Sequence, residues 1–132
     1  MKKEMNNKGF SLVELIIVIA IMAVLIGLLA PQYIKYVNNS KVSADVTNAQ
    51  AIASAFNVAL ADGASLAASY NSGTDAIPTD VNLAAWPVAK HTPTETWTVA
   101  IGTNGVTEIK LGTLEIYPEP EATGNYYATR HQ

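Results

Sequence analysis

One acidic residue lies inside an apolar segment near the amino terminus of this chain of 132 residues. Glu14 is followed by sixteen residues without a polar side chain, from Leu15 to Ala30, and Pro31 comes directly after them. A carboxylate at such a position costs about 2–3 kcal/mol if the segment enters a bilayer, so a cationic partner is expected. Ionisable residues inside apolar spans usually mark functional sites, and Glu14 is therefore the first candidate.

The peptide bond between Gly9 and Phe10 is the second candidate, as a place where the chain is itself processed. Cleavage there would create an α-ammonium group four residues, about one helical turn, before Glu14. The order Gly9-Phe10-Ser11-Leu12-Val13-Glu14, followed by the apolar run and Pro31, resembles the processing signature of type IV prepilins. The resemblance is sharp over residues 1 to 31 and fades beyond about residue 60.

The resemblance implies a subunit that is modified and then polymerised. A membrane prepilin peptidase would cut after Gly9 and methylate the amine of Phe10. Mature chains would form a helical homo-oligomer, in which Glu14 neutralises the Phe10 amine of a neighbouring subunit and so sets the axial register. Further implied partners are an assembly platform in the membrane and its ATPase. The chain is expected to be a structural subunit of a surface pilus, and specifically the major pilin. Such a pilus would serve adhesion, motility or aggregation.

Other functions remain open from the residues alone. Within the same family, the chain fits a minor pilin or a pseudopilin of a type II secretion or DNA-uptake machine. Outside it, a membrane-anchored binding domain that never polymerises, or a signal anchor that merely contains Glu14, is compatible with the apolar run. A conventional secretory signal is disfavoured, because its apolar core has about 7–15 residues and ends in an A-x-A-like site.

The apolar run is predicted to begin one long helix, from about Phe10 to Ala61. The part from Phe10 to Ala30 would be about 31 Å long, enough to cross the hydrocarbon of a bilayer. Pro31 removes a helical hydrogen bond to Gly27, so a kink or local unwinding is expected there, as in the family. Asp62-Gly63 then ends the helix.

The helix beyond the apolar run is predicted to be amphipathic. An apolar seam recurs at spacings of four and three residues, which places its members on one helical face. The seam consists of Val42, Val46, Ala49, Ala53, Phe56 and Leu60. Lys41, Asp45, Asn48 and Ser54 are assigned to the rest of the helix surface.

The carboxyl-terminal part predicts a small antiparallel sheet. Between residues 62 and 94 the signal is weak, with Ala64 to Tyr70 interpreted as a short helical turn. Asn104-Gly105 indicates a hairpin, and a three-residue turn with Gly105 in the left-handed conformation segregates the apolar face. Gly112-Thr113 is predicted as a two-residue turn. The expected pairs are Trp97 with Leu111, Val99 with Ile109, Leu111 with Leu114, Ile109 with Ile116, and Lys110 with Glu115.

These elements predict an α+β fold, a long helical spine packed on a small antiparallel sheet, which is the type IV pilin fold. The predicted divisions are a cleaved leader at 1–9, a transmembrane or filament-core helix at 10–31 and a globular domain at 32–132. Within that domain the strands lie at 95–117. In the tail at 118–132, Tyr126 to Thr129 either adds an edge strand or packs back on the domain.

Charge and composition narrow the function further. Lys2, Lys3 and Lys8 outnumber Glu4 before the span, which predicts a cytoplasmic amino terminus and an external globular domain. The subunit is therefore expected first in the cytoplasmic membrane and then on the cell surface. Beyond residue 44 the net charge is −6, from three basic and nine acidic residues, which argues against nucleic-acid binding. Cysteine is absent, as in the cysteine-free pilins of Gram-positive bacteria, so no disulfide forms.

No set of residues predicts catalysis, and the chain is expected to be neither an enzyme nor a binder of a cofactor or metal. His91 and His131 have no partner implied by spacing, and Asp62, Asp75 and Asp80 match no calcium loop. The aromatic residues are assigned to core and tail packing rather than to a binding platform. These are Trp86, Trp97, Tyr70, Tyr117, Tyr126 and Tyr127.

Overall fold

A computed structural model describes residues 9–130 of the chain and shows an α+β fold, as predicted. The elements in chain order are α1 (Leu12–Ala61), β1 (Ser69–Asn71), β2 (Trp97–Gly102), β3 (Gly105–Leu111), β4 (Leu114–Tyr117) and α2 (Tyr126–Arg130). Two compact units meet in sequence between Tyr36 and Val37. The lysine-rich leader up to Lys8, on which the predicted orientation depends, and His131 lie outside the described residues.

The first unit contains the amino-terminal part of α1. Its described side chains, from Gly9 to Tyr36, are all exposed. By length and composition this part of α1 is able to cross a membrane. The helix is continuous through Gly27 and Pro31, and a kink at these residues remains a prediction.

In the second unit, the carboxyl-terminal part of α1 buries one of its faces against the sheet. Of the predicted seam, Val42, Ala49, Ala53 and Phe56 are fully or almost fully buried. α1 ends as the Asp62-Gly63 pair predicts, because Gly63 adopts a φ of +91°. The two amides that close the helix then bond back to it, Gly63 N to Leu60 O and Ala64 N to Ala59 O, each at 3.0 Å.

The sheet has four antiparallel strands in the order β1-β2-β3-β4. The predicted pairs Trp97–Leu111 and Val99–Ile109 are confirmed. The turn that produces them differs from the prediction, because Gly102 pairs with Gly105 across a two-residue turn. The one-residue offset that the predicted three-residue turn would have given comes instead from a bulge between Ala100 and Ile101.

The prediction for the second hairpin is confirmed next to the turn and is wrong for the pair farthest from it. Leu111 pairs with Leu114, and Lys110 with Glu115, as predicted. Ile109 pairs with Tyr117 rather than with Ile116, because the register shifts after Lys110. The shift places Ile116 in the core, where only 1% of it is exposed.

One further segment differs from the sequence prediction, and for the tail the structure decides between the two alternatives. The segment expected to be a helical turn, Ala64 to Tyr70, instead leads into β1, which pairs with β2. Tyr126 to Arg130 forms the short helix α2, so the tail packs back and adds no edge strand. Trp97 is buried as predicted, and its indole Nε1 donates to Pro87 O at 2.6 Å.

Candidate functional site

The side chain of Glu14 is held by the first turn of its own helix. Its Oε2 accepts a hydrogen bond from Ser11 N at 3.0 Å, while Ser11 Oγ accepts one from Glu14 N at 3.2 Å. Since α1 begins at Leu12, Ser11 is the residue that caps it, and the two bonds form a capping box. The carboxylate therefore lies at the positive end of the helix dipole, which favours its charge.

The residues predicted for processing and assembly lie together at this end of the chain. Gly9 and Phe10 precede the helix, and 84% of the Phe10 side chain is exposed. Glu14 is also exposed, and its Oε1 atom has no hydrogen bond to the described residues. The site therefore offers an accessible peptide bond and, four residues later, a carboxylate with one oxygen open to a further donor. The capping role of Ser11 was not among the sequence predictions, although the S-x-x-E pattern indicates it.

A second carboxylate, Asp45, is completely buried in the other unit. It accepts hydrogen bonds from Lys90 N at 2.6 Å, His91 N at 2.9 Å and Tyr126 Oη at 2.5 Å. Its assignment to the solvated surface of α1 was therefore wrong. The burial of this charge is tolerated because three donors replace its hydration.

The last residues of the described chain are fixed beside Asp45 by an ion pair. The guanidinium of Arg130 makes a two-pronged contact with Glu95, and its Nη1 lies 2.7 Å from Glu95 Oε2. The same group lies 4.9 Å from the centre of the Tyr126 ring. Asn38 Nδ2 donates to Arg130 O at 3.1 Å, which fixes the backbone of the tail to α1. We call Asp45, Glu95, Tyr126 and Arg130 the tail clasp.

Electrostatics favour one protonation state for Tyr126 and for Arg130. Burial, followed by the hydrogen bond to Asp45, raises the pKa of the Tyr126 hydroxyl far above its usual range, so Tyr126 remains a donor. The hydrogen bonds that Arg130 donates to Glu95 raise the pKa of Arg130. The clasp thus fixes the tail by charge and hydrogen bonding in a chain without cysteine.

The other candidate residues do not converge. His91 Nδ1 lies 3.0 Å from Thr92 Oγ1 and 3.2 Å from Arg130 Nη1, which are partners that spacing did not imply. Asp75 accepts a hydrogen bond from Asn71 N at 2.7 Å, whereas Asp62 and Asp80 line a separate depression. Within residues 9–130 no three potential metal ligands come together.

Comparison with known proteins identifies the amino-terminal segment. Residues 5–30 match a family model described as the prokaryotic N-terminal methylation motif. Two curated relatives, both type IV major fimbrial protein FimA from Dichelobacter nodosus, are 39% identical over 57 residues. This alignment covers 43% of the chain and 36% of each relative, so the chain spans only about a third of their length. No solved structure matches. The amino-terminal segment therefore carries the prokaryotic methylation motif, and part of the chain is similar to a type IV major fimbrial protein.

Proposed function

We propose that this chain is a structural subunit of a type IV pilus, made as a prepilin and polymerised through the amino-terminal part of α1. The observation that carries this proposal is the apolar amino-terminal part of α1, whose described side chains are all exposed up to Tyr36, with one incompletely bonded carboxylate at its start. So much exposed apolar surface is not stable in water and needs lipid or further copies of the chain to cover it.

Processing would prepare this end for assembly. Hydrolysis of the Gly9–Phe10 bond by a prepilin peptidase leaves a carboxylate on Gly9 and a free amine on Phe10, which is then methylated. The position of both residues ahead of α1 supports access to the bond, because a peptide bond within a helix would first require unwinding. In this proposal residues 1–9 are the leader, 10–31 the filament core and 32–132 the globular domain.

Assembly would then satisfy Glu14 from outside its own subunit. Ser11 N occupies Oε2 and leaves Oε1 for the Phe10 amine of a neighbouring chain. Within a core of packed apolar helices, a carboxylate without its partner is penalised far more than a paired one. Subunits that stack out of register would bury Glu14 without its partner, so the pair selects one axial position.

The remaining partners follow from this cycle. The subunit would wait in the cytoplasmic membrane, be raised by an assembly platform with its ATPase, and function in a surface filament. Such a filament serves adhesion, motility or aggregation, and its subunits have a structural rather than an enzymatic role.

N-terminal sequencing and mass measurement of sheared surface filaments test the proposal. We expect the dominant chain in the filaments to begin at Phe10 and to carry one extra methyl group. Cleaved chains that are scarce in the filaments would indicate a minor pilin or pseudopilin. An uncut chain that stays in the membrane would indicate an anchored binding domain and contradict the proposal.

A further inference from the structure

A polar depression of about 480 Å³ lies in the second unit, between the end of α1 and the β2–β3 turn. Its volume falls within the range of small-molecule sites, about 300–1,000 Å³. Three elements far apart in sequence contribute to it. The lining residues are Asn57, Leu60 and Ala61 from α1, Thr103, Asn104, Gly105 and Val106 from the hairpin, and Tyr117 from β4.

The lining carries no charged side chain, although the chain beyond residue 44 is strongly acidic. It offers two side-chain amides, on Asn57 and Asn104, and two hydroxyls, on Thr103 and Tyr117. Amides and hydroxyls both donate and accept hydrogen bonds, and the tyrosine ring adds an apolar face. This combination suits a neutral ligand rich in hydroxyl groups better than an ion.

The orientation of Asn57 is fixed by the backbone. Its Oδ1 accepts a hydrogen bond from Val106 N at 2.8 Å, so the NH₂ end of the amide is directed away from that bond. The NH₂ group has no acceptor among residues 9–130. Asn57 therefore presents a positioned donor, and positioned donors confer specificity in binding sites.

Gly105 allows this arrangement. Its φ of +135° favours glycine, and a Cβ atom at this position would lie 2.6 Å from Asn57 Oδ1. A larger residue would displace the amide from the turn. The close approach of the hairpin to α1 thus both shapes the depression and orients its donor.

We propose that this depression binds neutral sugar units of a polysaccharide. The hydroxyls of a sugar ring pair with the amides of Asn57 and Asn104, and its C–H face lies on the ring of Tyr117. Carboxylated and phosphorylated sugars are rejected, because the lining has no cation to pair with their charge. This binding activity goes beyond the proposed role as a filament subunit and does not depend on it.

Saturation-transfer NMR on the full chain tests the proposal, in lauryldimethylamine oxide micelles, whose head groups contain no sugar. The probes are glucose, galactose and N-acetylglucosamine at millimolar concentration, with glucuronic acid and glucose 6-phosphate as anionic counterparts. We expect transfer to at least one neutral sugar and none to the anionic ones. Absence of transfer to all three neutral sugars, or equal transfer to the anionic ones, would overturn the proposal.

Two variants assign the signal to the depression. Asn57→Asp keeps the acceptor for Val106 N but replaces the positioned donor, and Asn104→Ala removes the second amide from an exposed turn. Each is expected to weaken binding by about tenfold or more. Val88→Ala, at a side chain that is 61% exposed and outside the lining, should bind as the wild type does.

Thermal unfolding of each variant separates lost binding from lost structure. If Asn57→Asp unfolds, Asn104→Ala alone decides the question, since its side chain lies on the surface. Unchanged sugar binding in a folded Asn104→Ala variant would contradict the assignment. Filament yield is measured in the same strains and is expected to be normal, so failure of this site and failure of assembly are distinguishable.

Discussion

Two carboxylates of α1, one in each unit of the chain, are held in opposite ways. Glu14 is exposed at the start of α1 and holds one backbone donor from its own turn. Asp45 is fully buried and holds three donors from two distant segments. From this difference we expect Asp45 to stabilise the subunit, whereas the proposed role of Glu14, which is left partly open, is to join subunits.

The largest effect is expected from a change that prevents cleavage between Gly9 and Phe10. Gly9→Val adds a branched side chain directly before the peptide bond that is proposed to be cut. We expect an uncut precursor retained in the membrane and an almost complete loss of filaments, as measured by immunoblotting of membranes and sheared material. Normal amounts of chains that begin at Phe10 would show that the leader is not recognised as proposed.

Glu14→Gln tests whether the exposed carboxylate joins subunits. The amide has the same shape and still accepts from Ser11 N, but it cannot neutralise an amine of a neighbouring chain. Membrane insertion and cleavage should persist, while the ratio of sheared filament to total mature subunit falls by about tenfold or more. An unchanged ratio would remove Glu14 from assembly.

Asp45→Asn is the matched change at the buried carboxylate. One Asn oxygen cannot accept all three hydrogen bonds, and its NH₂ group must face a donor of the tail or loop. We expect a loss of about 2–4 kcal/mol in the free energy of unfolding of the full chain in micelles. Equal denaturant midpoints for variant and wild type would show that the clasp does not stabilise the subunit.

Tyr126→Phe isolates one donor of the clasp and should cost about 1–2 kcal/mol. It also predicts a pH dependence. Well below about pH 10 the hydroxyl is protonated in both states, and burial raises the pKa of Tyr126 in the folded state alone. Above that pH the unfolded chain releases its proton first, so the wild type loses stability as pH rises, and the variant should lose less. The free energy of unfolding of wild type and variant is measured between about pH 9 and pH 11. Equal losses of stability over this range would contradict the assignment.

The sequence predicts those parts of the fold and of the candidate site that depend on residues close together in the chain. The S-x-x-E capping box and the ends of α1 are local patterns, and the pairing of Val99 with Ile109 follows from alternation along two strands. The burial of Asp45 was not predictable in this way, because its partners lie 45, 46 and 81 residues along the chain. β1 was missed because three residues carry too short a pattern, and pairing with β2 rather than local preference makes them a strand.

The smallest effect is expected at Ser11, which distinguishes a positioned Glu14 from a merely charged one. Ser11→Ala removes the hydroxyl that accepts from Glu14 N, which costs a helix typically about 1 kcal/mol. The bond from Ser11 N to Glu14 Oε2 can still form, but in a first turn that is held less firmly, so the Glu14 side chain is less well oriented. The carboxylate remains, so filament yield should fall by only about twofold to fivefold, within what such a loss of orientation allows. Ser11→Thr keeps a capping hydroxyl and should restore the wild-type ratio of sheared filament to mature subunit. If Ser11→Ala assembles normally, the charge of Glu14 suffices without the box. If Ser11→Ala loses as much filament yield as Glu14→Gln, the capping box is as necessary as the charge. The open oxygen of Glu14 then contributes to assembly only when the capping box orients the side chain.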